Sequence, residues 1–203
     1  MSLCPRCHNA AGGAAGDALW RCLACAVMFD RAGEALPVRY TRARGYPADG
    51  VAMPFYRFSQ VRAEVVPAAT GGGAASRLAA VAAVWVVAVR IRHFQVHGDV
   101  GFEYTRRPPR LEAGEPGAVL GVSRSPAAAA RVARVLVHKV AAEADGARLQ
   151  VELGRPEVTF VPTLDEAGLV KVPHCPIRYP SGSVEGYREA LACAAREIVP
   201  PAR

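Results

Sequence analysis

Hydrophobic and polar positions follow a strand-like pattern over two long stretches in the first half of the chain. Val51–Val66 mixes aromatic and β-branched residues and predicts one long strand, with Pro54 at a bulge or edge. Thr70–Ala75, which includes Gly71 to Gly73, predicts a flexible turn. Ala80–Val96 predicts a second long strand, in which Val87, Val89 and Ile91 alternate with Arg90 and Arg92, and the two strands are expected to pair antiparallel. His97-Gly98-Asp99 breaks the pattern. Glu103–Arg110 reads as an extended basic loop, because Pro108 and Pro109 each bias the preceding residue away from helix. Ala118–Val122 predicts a short strand. Ser125 then stands as an N-cap with Pro126 at the first helical position, opening a helix to about Ala144. On that helix Val132, Leu136 and Val140 fall at i, i+4 and i+8 beside Val135, giving one apolar face. Short strands are expected at Leu149–Leu153, Val158–Val161 and Leu169–Val172. A final helix from about Val184 to Ile198 turns Tyr187, Leu191, Ala194 and Ala195 inward. The fold class is α+β, a mainly antiparallel sheet with two helices.

A length of 203 residues suffices for one ordinary domain plus a small module. Hydrophobic residues at 51% and charged ones at 21% exclude a disordered chain and a membrane-spanning one. The most apolar run, Leu78–Val89, would rise only about 18 Å as a helix against a hydrocarbon core of roughly 30 Å, so it reads as a core strand and no membrane span is expected. No apolar stretch follows a basic start, so no secretory signal is read; the expected location is cytoplasmic, where clustered cysteines bind metal more often than they form disulfides.

The net charge of +7 is uneven, with 14 Arg against 7 acidic residues in positions 1–110 and 11 basic against 11 acidic beyond. An anionic partner would therefore dock on the first half. Four metal-bound thiolates and a divalent ion would lower the net charge by about two units.

Four of the six cysteines carry the clearest chemistry, as Cys4-x2-Cys7-x14-Cys22-x2-Cys25. A Cys-x-x-Cys pair on a tight turn points both sulfurs at one ion, and two such turns close a tetrahedral shell. Other readings use part of this pattern. Cys4-Pro5-Arg6-Cys7-His8 also matches a c-type haem attachment, which requires export and leaves the second pair unexplained. A thioredoxin-like redox pair expects a βαβ context that the pattern lacks. Iron held as in rubredoxin would use the same four ligands. Leu3-Cys4-Pro5-Arg6-Cys7, followed by Trp20-Arg21-Cys22-Leu23-Ala24-Cys25, resembles the zinc ribbons of transcription and translation proteins over roughly the first 30 residues. The resemblance implies a structural Zn2+. Many ribbons have Gly after each Cys pair; His8 and Ala26 stand there in this chain. The expected organisation is a zinc ribbon over 1–36, a basic connector over 37–46 and an α+β domain over 47–203. On this division, chelation should unfold residues 1–33 and leave the main domain largely intact.

The search for catalytic groups comes back empty. His174 and Cys175 are neighbours on a segment expected to be extended by Pro173 and Pro176, and so face apart; Cys175 reads as an ordinary buried cysteine, as does Cys193. His93 and His97, with Asp99, would be about 13 Å apart along a strand and read as surface histidines rather than a second metal site. Asp99 and Glu103 are not fixed in a cleft by anything in the sequence. Gly71–Gly73 lacks the Lys of a phosphate loop, and no nucleophile elbow or zinc-protease motif occurs. Two basic segments remain: Arg39, Tyr40, Arg42, Arg44 and Tyr46, and then Arg106, Arg107 and Arg110. Arginines hold phosphates and tyrosines stack on bases, a mixture suited to single-stranded nucleic acid or to an acidic protein. The leading functional expectation is a non-catalytic binding or assembly subunit that docks on a protein partner. A nucleic-acid-binding protein is the alternative, and an enzyme with an unrecognised site comes third; no small-molecule substrate is identifiable.

Overall fold

The computed structural model describes residues 2–13, 16–22, 24–25, 27–47, 50–65, 81–92, 98–115, 117–142 and 149–197. In chain order these form β1 (Ser2–Leu3), β2 (Ala10–Ala11), β3 (Trp20–Cys22), β4 (Val27–Phe29), β5 (Ala35–Arg42), β6 (Ala52–Phe58), β7 (Val61–Val65) and β8 (Val84–Val87). Then come α1 (Val100–Arg106), β9 (Glu112–Ala113), α2 (Pro126–Ala142), β10 (Leu149–Leu153), β11 (Glu157–Pro162), β12 (Leu164–Glu166), β13 (Leu169–Lys171), β14 (Arg178–Pro180) and α3 (Tyr187–Glu197). The result is a mixed α+β fold with mostly antiparallel sheets.

The main sheet runs β3-β4-β5-β11-β6-β8, with β9 paired to the end of β5. Only β5 and β11 pair in parallel within it. Its central strands are apolar on both faces because both faces are covered. Tyr56, Phe58, Val84, Val86, Val158 and Phe160 point to one side, beneath α2 and the β7–β10 pair. Met53, Phe55, Trp85, Val87 and Val161 point to the other, against Val100 and Tyr104 of α1, Val170, Tyr179 and Tyr187. Each of these large side chains contributes about 1.5–3 kcal/mol by leaving water. Buried tyrosine hydroxyls find carbonyls: Tyr104 donates to Pro173 at 2.7 Å and Tyr56 to Arg124 at 2.7 Å.

Several sequence expectations are corrected. Within the stretch 51–66, of which 51–65 are described, there are two strands in different sheets, because exposed Ser59 and Gln60 carry the chain out of the main sheet after Phe58. Of the second long strand, Ala80–Val96, residues 81–92 are described, and among these only Val84–Val87 are strand; they pair antiparallel with β6 as expected, in the register Phe55 with Val87. Residues 103–106 are helical rather than an extended loop. Asp99 caps α1 by accepting from the N–H groups of Gly101 at 2.8 Å and Phe102 at 3.3 Å, and Val100 and Tyr104 bury one face. Pro108 restrains only Arg107, where that helix stops. Ala118–Val122 forms a single bridge, Val119 with Ala52. The last helix starts at Tyr187, since Val184 bridges to Ile91; its Leu191 is 38% exposed, and Cys193 is exposed rather than core.

The cap at Ser125 is present, with Ala128 N–H donating to its Oγ at 3.2 Å. The glycine run 71–73, His93 and His97 lie outside the described residues. No helix among the described residues is long and apolar enough to cross a membrane.

The first 36 residues meet the body directly. Leu19, Met28 and Leu36 belong to the same buried cluster as Tyr56, Phe160 and the inner face of α2. Ala18 N–H donates to the carbonyl of Val122 at 2.6 Å. Residues 37–42, read from sequence as connector, are the second part of β5: Pro37 pairs with β4, Val38 to Tyr40 with β11, and Thr41 and Arg42 with β9.

Candidate metal centre

Two turns present the four cysteines. After β1 the chain turns through Pro5 and Arg6, with Cys4 N–H donating to the carbonyl of Asn9 at 2.9 Å and His8 N–H to that of Cys4 at 2.9 Å. Closing this turn before β2 places His8 at φ 58°. That is the left-handed region glycine occupies most readily. Cys22 ends β3, and Cys25 precedes β4. Trp20 and Phe29 are cross-strand partners on that hairpin, their ring centroids 6.1 Å apart. With Cys4 and Cys22, Phe29 forms a small buried cluster of its own. Gly13 is required beside it, because a Cβ there would stand 2.6 Å from Cδ1 of Trp20.

The four sulfurs all lie within 4.8 Å of one another. Sγ of Cys7 and Cys22 are 3.5 Å apart. A disulfide needs about 2.05 Å, whereas a tetrahedron with arms near 2.3 Å has edges of about 3.8 Å. The cluster therefore fits one tetrahedral metal ion held by four thiolates.

Its electrostatics agree. Burial pushes the Cys4 thiol up, but the N–H groups of Arg6 and Cys7 and the thiols of Cys22 and Cys7 outweigh it and bring Cys4 down to about 7. Arg6 N–H lies 3.4 Å from that sulfur. The Cys7 thiol and then burial push Cys25 up to about 12, and burial raises Cys22. Cys4 thus ionises readily while hydrogen bonding and burial hold protons on Cys22 and Cys25, and a divalent ion would displace those protons.

His8 makes a local prediction. His8→Gly should stabilise the protein by about 0.5–1 kcal/mol, the left-handed penalty less the entropy cost of glycine. His8→Val should cost about 1–2 kcal/mol instead. Urea unfolding of the metal-loaded protein measures both, and equal midpoints for the two variants would show that the turn carries no such strain.

The basic residues are only partly brought together. Tyr40 stacks on Phe160 at 5.2 Å and 10°, so its ring is already used within the fold. Arg42 pairs with Glu112 at 3.0 Å, and Arg106 lies 4.0 Å from Glu103 with its guanidinium over Phe102. Arg39, Arg44, Arg107 and Arg110 are exposed. The pairing of β5 with β9 joins the two segments, and Arg39 lines one small hollow with Pro108, Pro109 and Leu111.

Elsewhere, Cys175 is half-buried and burial pushes its thiol up to about 11. His174 sits beside it in a turn at φ 57°, exposed, rather than on an extended segment.

Sequence reasoning did not single out Leu3, which is 60% exposed beside the metal centre. A groove of about 270 Å³ runs there between Leu3, Pro5, Trp20, Phe29, Asp30, Arg31 and Gly33. No protein-family model, curated protein or solved structure matches the chain.

Proposed function

We propose that the protein is a non-catalytic binding or assembly subunit, in which a structural Zn2+ on Cys4, Cys7, Cys22 and Cys25 shapes a ribbon surface that docks on a protein partner. Four protein sulfurs complete a tetrahedral shell, leaving the metal no open position for a reacting molecule. The observation that carries the docking role is the groove beside the centre, walled by Leu3, Pro5, Trp20 and Phe29 with Arg31 at its rim. Such a groove suits one large apolar side chain of a partner, with Asp30 and Arg31 at its edge for polar contacts of either sign. Elemental analysis should return one zinc per chain, and iron in its place would replace the metal assignment.

The docking test is affinity capture with the wild type and with Leu3→Asp, each at low and high salt. A partner held by the wild type at both salts and lost by the variant supports the reading, since apolar contacts are insensitive to salt. Equal capture by both proteins would overturn it.

A second reading, nucleic-acid binding, draws on the convergence of the two basic segments along β5 and β9. It predicts binding to a mixed DNA and RNA panel that falls by orders of magnitude between about 50 and 200 mM salt. Absence of binding at the lower salt removes it.

A further inference from the structure

A cleft of about 990 Å³ lies between the start of α2 and the end of β8, away from the metal centre. Its walls are apolar: Val86, Val89 and Ile91 on the strand side, and Val132, Val135 and Leu136 on the helix side. Val135 is 63% exposed, an unusual place for a large aliphatic chain on a helix that is otherwise well patterned. The charges that line this apolar space among the described residues are mostly positive. Arg90, Arg124, Arg131 and Lys139 line it against a single carboxylate, Asp99, whose oxygen already accepts two N–H groups as the cap of α1.

Arg124 is the informative member. It sits half-buried one residue before the Ser125 cap of α2, its backbone N–H fixed to the carbonyl of Ala88 at 3.0 Å. Its guanidinium makes no hydrogen bond or ion pair among the described residues. Burial draws its proton affinity down, while the charge of Asp99 holds it up. A half-buried guanidinium that feels Asp99 only through space, with no direct carboxylate contact among the described residues, keeps its hydrogen-bonding fork available to an anion. The positive end of the 17-residue α2 adds to the same field.

We propose that this cleft binds a small amphipathic carboxylate, its head on Arg124 with Arg90 nearby and its apolar body along Val86, Val89, Val132 and Val135. The apolar walls exclude a bare inorganic anion as the preferred ligand, and the three-charge excess of cations disfavours a neutral or cationic one. The volume matches the range usual for small-molecule sites, roughly 300–1,000 Å³.

The probes are decanoate below its micelle concentration, decanol as the uncharged analogue and acetate as the head alone, titrated calorimetrically into the metal-loaded full chain. Saturable one-to-one binding of decanoate is expected, with decanol and acetate each at least about tenfold weaker, since a charge-assisted pair and the buried chain each contribute more than one factor of ten. Arg124→Gln should weaken decanoate by about tenfold or more, and Val135→Asp should do likewise at an exposed position where folding is not at stake. Arg188→Gln, which removes an exposed charge on α3, should leave decanoate affinity unchanged. Decanoate should also raise the melting temperature of the wild type and not of Arg124→Gln, which checks the result if calorimetric heats are small. Absence of saturable decanoate binding, equal binding of decanol, or indifference to both cleft variants would overturn the proposal.

Discussion

Stripping the metal is expected to unfold the whole chain in one transition rather than the first 33 residues alone. From sequence, a small metal module beside a larger domain should melt by itself. The packing argues otherwise. The hairpin that carries Cys22 and Cys25 also carries Met28 into the core under α2, and Leu19 and Leu36 flank it in the same cluster. β5 continues that hairpin into the main sheet, through Leu36 opposite Met28 and Tyr40 opposite Phe160. Losing the ribbon would therefore open one end of the principal core.

Structural zinc is worth about 10–16 kcal/mol of apparent binding free energy in small modules, as much as the whole stability of a typical domain, about 5–15 kcal/mol. The two tryptophans report on the two parts separately, since Trp20 lies at the metal centre and Trp85 in the other core. As chelator is added, fluorescence of Trp20→Phe and Trp85→Phe variants should show coincident loss of the folded signal, both without urea. If the Trp85 signal persisted while the Trp20 signal collapsed, the ribbon would be an independent unit. Cys4→Ser should lose the metal in the same way; unchanged metal stoichiometry in that variant would mean that the four-sulfur site is wrong.

What the sequence made legible was local. Cys4, Cys7, Cys22 and Cys25 announce themselves by spacing, because two turns and one ion fix their geometry. Ser125-Pro126 announces α2, because a cap and a preset φ are properties of neighbouring residues. The apolar run around Val84–Val89 could only be core. The misses came where tertiary context outvoted a local signal. Leu36, Val38 and Tyr40 do alternate with Pro37 and Arg39, as a half-covered strand should, yet the arginine content read as connector. The two prolines after Arg107 concealed a short helix whose cap, Asp99, follows a glycine at φ 88°. Cys193 looked like core because its helix is amphipathic, but Tyr187, Ala190 and Ala194 carry the inner face. The cleft was not legible at all. Its residues come mainly from 86–91, 123–125 and 128–139, with Ala18, Gly98, Asp99 and Tyr179 at its margins, and tertiary packing alone brings these distant segments together.

The sharpest test of that integration is a residue of the first 36 that packs in the main core rather than with the sulfurs. Leu19 is 1% exposed and packs in the main core, whereas the cysteines cluster with Phe29 apart from it. Leu19→Ala removes buried methyl groups from a site hemmed in by strands and helix, so the cavity cannot readily collapse. The cost should be about 2–5 kcal/mol. For a chain of this length each kcal/mol shifts the melting temperature by about 2–4 °C, so the drop should be on the order of 5–15 °C. The metal stoichiometry should not change, because no ligand turn is touched. A whole-chain transition lowered by that amount, with one metal still bound, would show that the ribbon stabilises the body through packing as well as through zinc. A transition left in place, or a loss of metal without a loss of stability, would mean that Leu19 serves the ribbon alone and that the body holds its fold without it.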